Sequence, residues 1–250
     1  ALLFGAGHCA LALAPVLKSI GFRVTVFDDR ADLVTKERFP AAESLICGDF
    51  GHIAQYITTE PEDYIVIMTS GHTHDFEVQE QILRRPAAYV GVIGSRAKTA
   101  SVNARLRAAG VDEAAIASLH TPVGVAIKAV TPAEIAVSIV AELIRCRHIL
   151  GLEAPLTPAV IDALGKMPYA MVTLVNCEGS TPRSEGARML VFPDGSIAGT
   201  IGGGISEASA KRDALRALAE NAPMIGHYAL NSTGGAVCGG KVEYLIIPVQ

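Results

Sequence analysis

Along the first 150 residues, short apolar runs alternate with longer segments in which apolar positions recur at helical spacing. The runs predict strands, at residues 1–4, 23–28, 45–47, 64–68 and 89–93. The longer segments predict helices, at residues 9–20, 75–83, 97–109 and 131–147. Strands that alternate with helices are typical of parallel βαβ units. The pattern therefore predicts an α/β domain with a parallel sheet over residues 1–150.

The rest of the chain has a different pattern. Residues 151–168 contain three prolines and predict a connector with a short helix. Strands are predicted at residues 170–176, 187–192, 196–201, 228–230 and 242–248, and one helix at residues 205–220. A Pro-Asp-Gly turn at residues 193–195 joins two of these strands. We therefore predict a second, smaller α/β or α+β domain over residues 169–250.

Composition narrows the classes of function. Half of the 250 residues are hydrophobic and the net charge is −4, so nothing indicates a nucleic-acid or anionic-membrane partner. No apolar run reaches the roughly 18 residues that a membrane-spanning helix needs. The five cysteines are scattered and form no CxxC pair, which is typical of reduced thiols. We therefore expect a cytoplasmic protein.

A glycine-rich turn follows the first predicted strand. Residues 5–10 read Gly-Ala-Gly-His-Cys-Ala, which is the GxGxxA form of the Rossmann dinucleotide fingerprint. The first glycine allows a tight turn, and the second lets a phosphate approach the N-terminus of the next helix. Asp28 follows at the end of the second strand, where a ribose-binding carboxylate belongs. The sequence therefore predicts either binding of NAD(P) or another nucleotide by Gly5, Gly7, His8 and Asp28 or a Rossmann scaffold that has lost or changed its ligand.

Three further positions at predicted strand ends have open alternatives. Arg30 either contacts the 2′-phosphate of an adenosine or pairs with an acid. Ser95 and Arg96 either bind a phosphate or form an ordinary helix cap.

A polar segment also follows the most apolar strand. It contains His72, His74 and Asp75. These side chains either form a metal site or a proton-transfer group, or Asp75 caps the next helix and the two histidines are solvated.

Three glycine-bearing segments stand out in the second half, at residues 178–183, 199–204 and 234–240. Consecutive glycines can present several backbone N–H groups to one anion. Arg183 would add a charged fork of donors. Glycine pairs lie close on both sides of Cys238, which favours an accessible thiol that serves as a thiolate, a sulfur carrier or a soft metal ligand.

The motifs of both halves resemble the XdhC/CoxI family, the maturation factors of xanthine dehydrogenase and related molybdenum hydroxylases. In the second half the resemblance rests on GSTPRSEGARMLVFPDG at residues 179–195, GTIGGGISE at residues 199–207 and Cys-Gly-Gly at residues 238–240. In the first half it rests on LLFGAGH, VTVFDDR, ERFP, IGSRAK and TPAEIAVSIVAELI. The order of the two halves departs from the family arrangement, in which the Rossmann domain comes second, because here the Rossmann half comes first.

The resemblance implies a chaperone that binds molybdenum cofactor (molybdopterin), helps its sulfuration and inserts it into an apo molybdenum hydroxylase of the xanthine dehydrogenase type. Such a protein is an accessory factor rather than a catalyst, with a cysteine desulfurase and a second copy of the chain as further partners. The resemblance assigns Cys238 as the metal ligand. It assigns cofactor binding to Ser180, Thr181, Arg183, Gly202, Gly203, Gly204, Glu207, Cys238 and Gly239.

Two other functions are compatible with the first half. An NAD(P)-dependent oxidoreductase would use the glycine loop for its cofactor and would need a placed acid or base, for which His8, His72 and His74 are the candidates. A regulatory module that senses a nucleotide would need the first half alone and would leave the Cys238 loop unexplained.

Overall fold

The structure is a computed structural model that describes residues 1–149, 156–229 and 240–250. The chain divides into two compact units, Ala1–Glu153 and Ala154–Gln250.

The described residues of the first unit form one parallel five-stranded sheet. Its strands are β1 (Leu2–Phe4), β2 (Thr25–Asp28), β3 (Ser44–Cys47), β4 (Tyr64–Ile67) and β5 (Tyr89–Val92). They lie in the order β3-β2-β1-β4-β5 and all pair in parallel. The chain reverses its direction of winding between β1 and β4, which makes their carboxyl ends the switch point where ligands of such sheets bind. The predicted Rossmann-like domain is thereby confirmed.

The helices of the first unit cover both faces of the sheet. They are α1 (His8–Ser19), α2 (Asp75–Ile82), α3 (Arg96–Ala108), α4 (Glu113–Ala117) and α5 (Pro132–Ile149). Residues from α1 and α5 pack on one face with Leu3 and Val66. Residues from α2 and from a 3-10 helix, Phe50–Gln55, pack on the other face with Phe4 and Ile67. Side chains alternate between the two faces, so the central strands are apolar throughout.

The start of α5 is fixed by two hydrogen bonds between Thr131 and Glu134. The Glu134 N–H donates to the Thr131 hydroxyl at 3.2 Å, and the Thr131 N–H donates to the Glu134 carboxylate at 2.9 Å. These reciprocal bonds form a capping box, which satisfies N–H groups that the first helical turn leaves free. The sequence did not predict α4, because its five residues are too few to show a helical period.

The second unit is an antiparallel sheet with helices packed on it. Its described strands are β6 (Tyr169–Glu178), β7 (Arg188–Val191), β8 (Ile197–Gly199), β9 (Met224–Ala229) and β10 (Lys241–Val249), in the order β8-β7-β6-β10-β9. Two helices accompany them, α6 (Pro158–Ala163) and α7 (Gly204–Glu220). The antiparallel pairing selects α+β from the two predicted alternatives. The predicted connector contains α6, and residues 151–155 lie outside the described residues, as does the predicted strand end at Leu230.

The core of the second unit depends on a small-residue face of α7. Ala210, Ala214 and Ala217 are fully buried against β6 and β10. They bring the helix close enough for the Tyr244 hydroxyl to donate to the Asp213 carboxylate on α7 at 2.8 Å. The edge strand β9 accommodates the Tyr244 ring at Gly226, where a Cβ would lie 2.5 Å from a ring carbon. Close packing of this kind fixes α7, and with it the loop that precedes the helix.

Within the described ranges, every helix is either too short or too polar to cross a lipid bilayer.

Candidate functional site

The glycine loop after β1 has one glycine that packing requires and one that faces open space. Gly5 has φ of +118°, and a Cβ there would collide with the carbonyl group of Met68. Gly7 is the N-cap of α1, and a Cβ at this position would meet nothing within 4 Å of the described chain. Among the described residues, no side chain caps α1 at Gly7. The amide end of α1 is therefore open, as a phosphate-binding loop requires.

The carboxylate of Asp28 is turned into the protein. It accepts the Ala6 N–H at 2.7 Å and the Arg30 guanidinium through Nε at 2.8 Å and Nη2 at 2.9 Å. The backbone N–H of Arg30 adds a bond of 3.1 Å, and the Asp28 side chain is only 1% exposed. Burial by itself raises the pKa of this carboxyl, but the bonds from Arg30 and Ala6 outweigh it and hold the pKa below its usual range.

This geometry suits an NAD(P) cofactor only in part. Gly5 and Gly7 provide the turn and the open helix end, and His8 is exposed at the first residue of α1. Asp28 lies where the sequence placed it, but it does not present a free acceptor to a ribose. Of the two alternatives for Arg30, the structure contains the ion pair with an acid.

The end of β5 contains the other predicted nucleotide contacts. The Ser95 hydroxyl accepts the Lys98 N–H at 3.5 Å, which is the capping alternative for this residue. The side chain of Arg96 lies outside the described part of the chain. Phosphate binding by these two residues stays a prediction.

The polar segment after β4 does not gather its predicted residues into one group. Asp75 is buried and accepts the Thr69 hydroxyl at 2.6 Å. The His74 ring instead stacks on Phe50 with centroids 4.9 Å apart, and its Nε2 lies 3.6 Å from the Asp29 carboxylate. The His72 side chain is outside the described part, and the described residues contain no group of three or more metal-type ligands.

Sequence reasoning missed Asp29, which is the exposed carboxylate at this edge of the sheet. The doubled acid at residues 28 and 29 was the available signal. The pattern alone does not say which of the two acids turns inward.

Gly202 and Gly240, from two glycine-bearing segments of the second unit, both pack against the loop that follows β6. A Cβ on Gly240 would lie 2.5 Å from the carbonyl oxygen of Ser180 and 2.9 Å from a side-chain carbon of Thr181. A Cβ on Gly202 would lie 3.0 Å from Cβ of Pro182. The loop at residues 179–183 thus packs against the start of α7 on one side and the start of β10 on the other.

The turn before α7 has an unusual backbone. Gly202, Gly203 and Gly204 have φ of +125°, +75° and +66°, a region that favours glycine. A Cβ on Gly203 or Gly204 would meet nothing within 4 Å in the described ranges. The N-cap residue Gly203 has no side chain that could cap the helix, and Gly202 places this turn next to the loop at residues 179–183.

Glu207 holds this turn from within α7. Its Oε2 accepts the Thr200 hydroxyl at 2.5 Å and the N–H groups of Ile201 and Gly203 at 3.1 Å each. The residue predicted to bind the cofactor thus fixes the conformation of the loop. A carboxylate at this position also complements the positive end of the helix dipole.

The loop at residues 179–183 exposes Ser180 and Arg183. In the described ranges Arg183 forms no ion pair. Its carbonyl oxygen accepts the Thr181 hydroxyl at 2.9 Å, which stabilises the loop. Of the predicted cofactor residues, Cys238 and Gly239 lie outside the described residues.

A second thiol lies behind this loop, and sequence reasoning did not include it in the site. Cys177 Sγ is 3.6 Å from the Arg183 carbonyl oxygen, and burial raises the pKa of the thiol despite a bond to Thr181. Such a thiol is a poor nucleophile at neutral pH. Its position at the end of β6, directly before the glycine loop, was the signal in the sequence.

Two family profiles match the chain. The profile described as the XdhC Rossmann domain matches residues 1–143, and the profile described as the XdhC and CoxI family matches residues 165–229. The Rossmann domain thus precedes the other in this chain.

Individual relatives match parts of the chain. It is 34% identical over 147 residues to an uncharacterized protein, YqeB, of Escherichia coli (strain K12), with 58% of this chain and 27% of that protein covered. It is 32% identical over 146 residues to a protein of Bacillus subtilis (strain 168) that is named as a probable xanthine dehydrogenase subunit, with 58% and 42% covered. The matches thus span less than half the length of these relatives.

Among solved structures, the chain is similar to a crystal structure described as a xanthine dehydrogenase from Bacillus halodurans. The sequence identity is 29% and the TM-score is 0.53, with 64% of this chain and 45% of that chain covered. The Rossmann-domain profile alone matches more than half of the chain, so the sequence resemblance is confirmed. We conclude that the chain belongs to the XdhC/CoxI family.

Proposed function

We propose that this protein is an accessory factor in the maturation of a xanthine dehydrogenase-type molybdenum hydroxylase, and that its second unit binds molybdenum cofactor for delivery to the apoenzyme. One observation carries the proposal. The loop at residues 179–183 packs against Gly202 through Pro182 and against Gly240 through Ser180, so that it lies between the turn before α7 and the residue before β10. A turn that only linked two strands would not need the other two segments beside it.

The chemistry of this surface suits an anionic group. The helix α7 begins at Gly204, where a Cβ would meet no described residue within 4 Å, and a helix N-terminus favours a phosphate. Arg183 adds an exposed guanidinium that can form a charge-assisted fork. Molybdopterin supplies a phosphate group and a sulfur pair that holds molybdenum. We assign phosphate binding to Arg183 and the start of α7, and loop positioning to Glu207.

The family and its named relatives support the choice of partner. The Bacillus subtilis relative is named as a probable component of xanthine dehydrogenase. We extend that name to this chain as a proposal for its client, an apo molybdenum hydroxylase. The assignment of Cys238 as metal ligand, the sulfuration step with a cysteine desulfurase as sulfur donor, and a homodimer are further parts of the proposal that rest on the family resemblance alone.

The oxidoreductase alternative receives less support from the geometry. Its nicotinamide dinucleotide would need a free acceptor at Asp28, and that carboxylate is already bonded to Ala6 and Arg30. Of the two candidate histidines after β4, His74 is the one whose side chain the structure describes, and it lies against Asp29 and Phe50.

The test is a titration of the whole chain with molybdenum cofactor released from a purified molybdoenzyme. The bound fraction is read from the fluorescence of the oxidised pterin. We expect Arg183→Ala to weaken binding by about 1.5–3 kcal/mol, the usual contribution of a hydrogen bond to a charged group.

Arg216→Ala is the matched control, because Arg216 is an exposed arginine near the other end of α7, where it pairs with Asp213 at 3.5 Å. Equal affinities of the wild type and Arg183→Ala would remove Arg183 from the site. No cofactor binding by the folded wild-type chain would refute the proposed function itself.

A further inference from the structure

In the first unit, the glycine loop at Gly5 and Gly7 leaves room for a phosphate, but the predicted ribose-binding carboxylate of Asp28 is already hydrogen-bonded within the protein. We propose that Arg30 is a specificity-determining residue that closes the position at Asp28 and thereby excludes NAD from this unit. This inference concerns the first unit and is independent of the function proposed for the second.

All four acceptor directions of the Asp28 carboxylate are in use. An ionised carboxylate offers about four lone-pair sites, two on each oxygen. Oδ1 accepts the backbone N–H and Nε of Arg30, and Oδ2 accepts the N–H of Ala6 and Nη2 of Arg30. With 1% of the side chain exposed, no acceptor remains for the two hydroxyl groups of an adenosine ribose.

Two of these four bonds come from the guanidinium of Arg30 and two come from backbone N–H groups. Replacement of the Arg30 side chain leaves both backbone bonds in place, one on each oxygen. It frees the second acceptor site of each oxygen, and a ribose 2′-hydroxyl and 3′-hydroxyl need one acceptor each. The side chain of Arg30 is 38% exposed, so its removal opens Asp28 from the solvent side.

Arg30 does not offer the alternative of a 2′-phosphate site. Asp29 lies 3.8 Å from its Nε with a side chain that is 41% exposed. Asp32 adds a third negative charge near the guanidinium. One positive charge among three carboxylates repels an incoming phosphate, so we expect NADP to be excluded as well.

The experiment titrates the whole chain with NADH and with NADPH and follows the fluorescence of the reduced nicotinamide. We expect Arg30→Ala to bind NADH about tenfold or more tightly than the wild type, because a bond to a charged group usually contributes that factor. The double variant that combines Arg30→Ala with Asp28→Asn should lose this gain in NADH affinity. If Arg30→Ala does not fold, Arg30→Gln, which retains a polar side chain, replaces it in the titration.

Arg23→Ala is the matched control, since Arg23 makes a similar fork to Glu43 with bonds of 2.6–3.1 Å. Arg23 lies before β2, at the opposite end of the strand from Asp28. It should leave NADH binding unchanged. The inference is overturned if the wild type binds NADH as tightly as the folded Arg30 variant, or if no folded Arg30 variant gains affinity. Tight NADPH binding that depends on Arg30 would also overturn it, because Arg30 would then be a ligand.

Discussion

Both units begin a helix with a glycine-rich turn held by one carboxylate, but the two turns use glycine for different reasons. In the first unit, Gly5 is required because the Met68 carbonyl group lies against it, and Gly7 has free space around it. In the second unit, Gly203 and Gly204 have free space as well, but both have positive φ. Crowding and a positive φ both require glycine at Gly5, whereas backbone conformation alone explains glycine at Gly203 and Gly204.

The source of the carboxylate differs too. Asp28 comes from the neighbouring strand β2, and its carboxylate accepts the Ala6 N–H of the loop that follows β1. Glu207 belongs to the helix that follows its turn, and it accepts the N–H groups of Ile201 and Gly203, which precede the first residue of α7. In both units a carboxylate and the amide end of a helix thus lie in the same turn.

The largest effect should come from Gly5→Ala. The new Cβ would lie 2.7 Å from the Met68 carbonyl carbon, and φ of +118° is unfavourable for alanine. We expect a loss of about 3 kcal/mol or more in the free energy of unfolding of the first unit. Chemical denaturation measures it. Gly7→Ala is the control and should change stability little, and an equal loss in both variants would contradict the crowding argument.

Glu207→Ala should come next. It removes the acceptor of three hydrogen bonds, from Thr200, Ile201 and Gly203. We expect the second unit to lose about 2 kcal/mol, as estimated for bonds to a charged group. Hydrogen exchange of the Ile201 and Gly203 amides reports the loss locally. Glu220→Ala, at the other end of α7, should not change that exchange. If the Ile201 and Gly203 amides exchange at the same rate in Glu207→Ala as in the wild type, the Glu207 carboxylate does not stabilise the turn.

The sequence predicted most of the fold, because its strands are bounded by glycines and its helices by caps that act locally. The capping box at Thr131 and the turn at Gly195 are of this kind. Two features of the sites could not be predicted in this way. The inward rotation of Asp28 and the contact of Gly240 with Ser180 depend on residues far apart in the sequence, so they follow only from the packed sheet.

Asp28→Asn should reduce stability in a pH-dependent way. The folded-state pKa of Asp28 lies below the unfolded value of about 3.9, so its ion pair stabilises the first unit above that value. The stabilisation is lost as pH falls through the folded-state pKa. We expect a loss of about 1.5 kcal/mol in the variant at pH 7 that shrinks below about pH 4.

Thermal melts across this pH range test that expectation. Glu43→Gln, which breaks an exposed ion pair with Arg23, is the control and should cost about 0.5 kcal/mol or less at neutral pH. A difference between wild type and Asp28→Asn that stays constant down to about pH 3 would contradict the assignment of the charged pair as the stabilising element.

The smallest effect separates the two reasons for glycine most directly. Gly204→Ala adds a Cβ that meets nothing within 4 Å in the described ranges, so only the left-handed backbone at φ of +66° opposes it. We expect a loss of about 1 kcal/mol in the second unit, the usual penalty for alanine in that region. Gly7→Ala, with φ of −76° and the same free space, should show no such loss. Equal stabilities of Gly204→Ala and the wild type would mean that the turn relaxes to negative φ. The conformation of the three glycines would then not be what opens the amide end of α7.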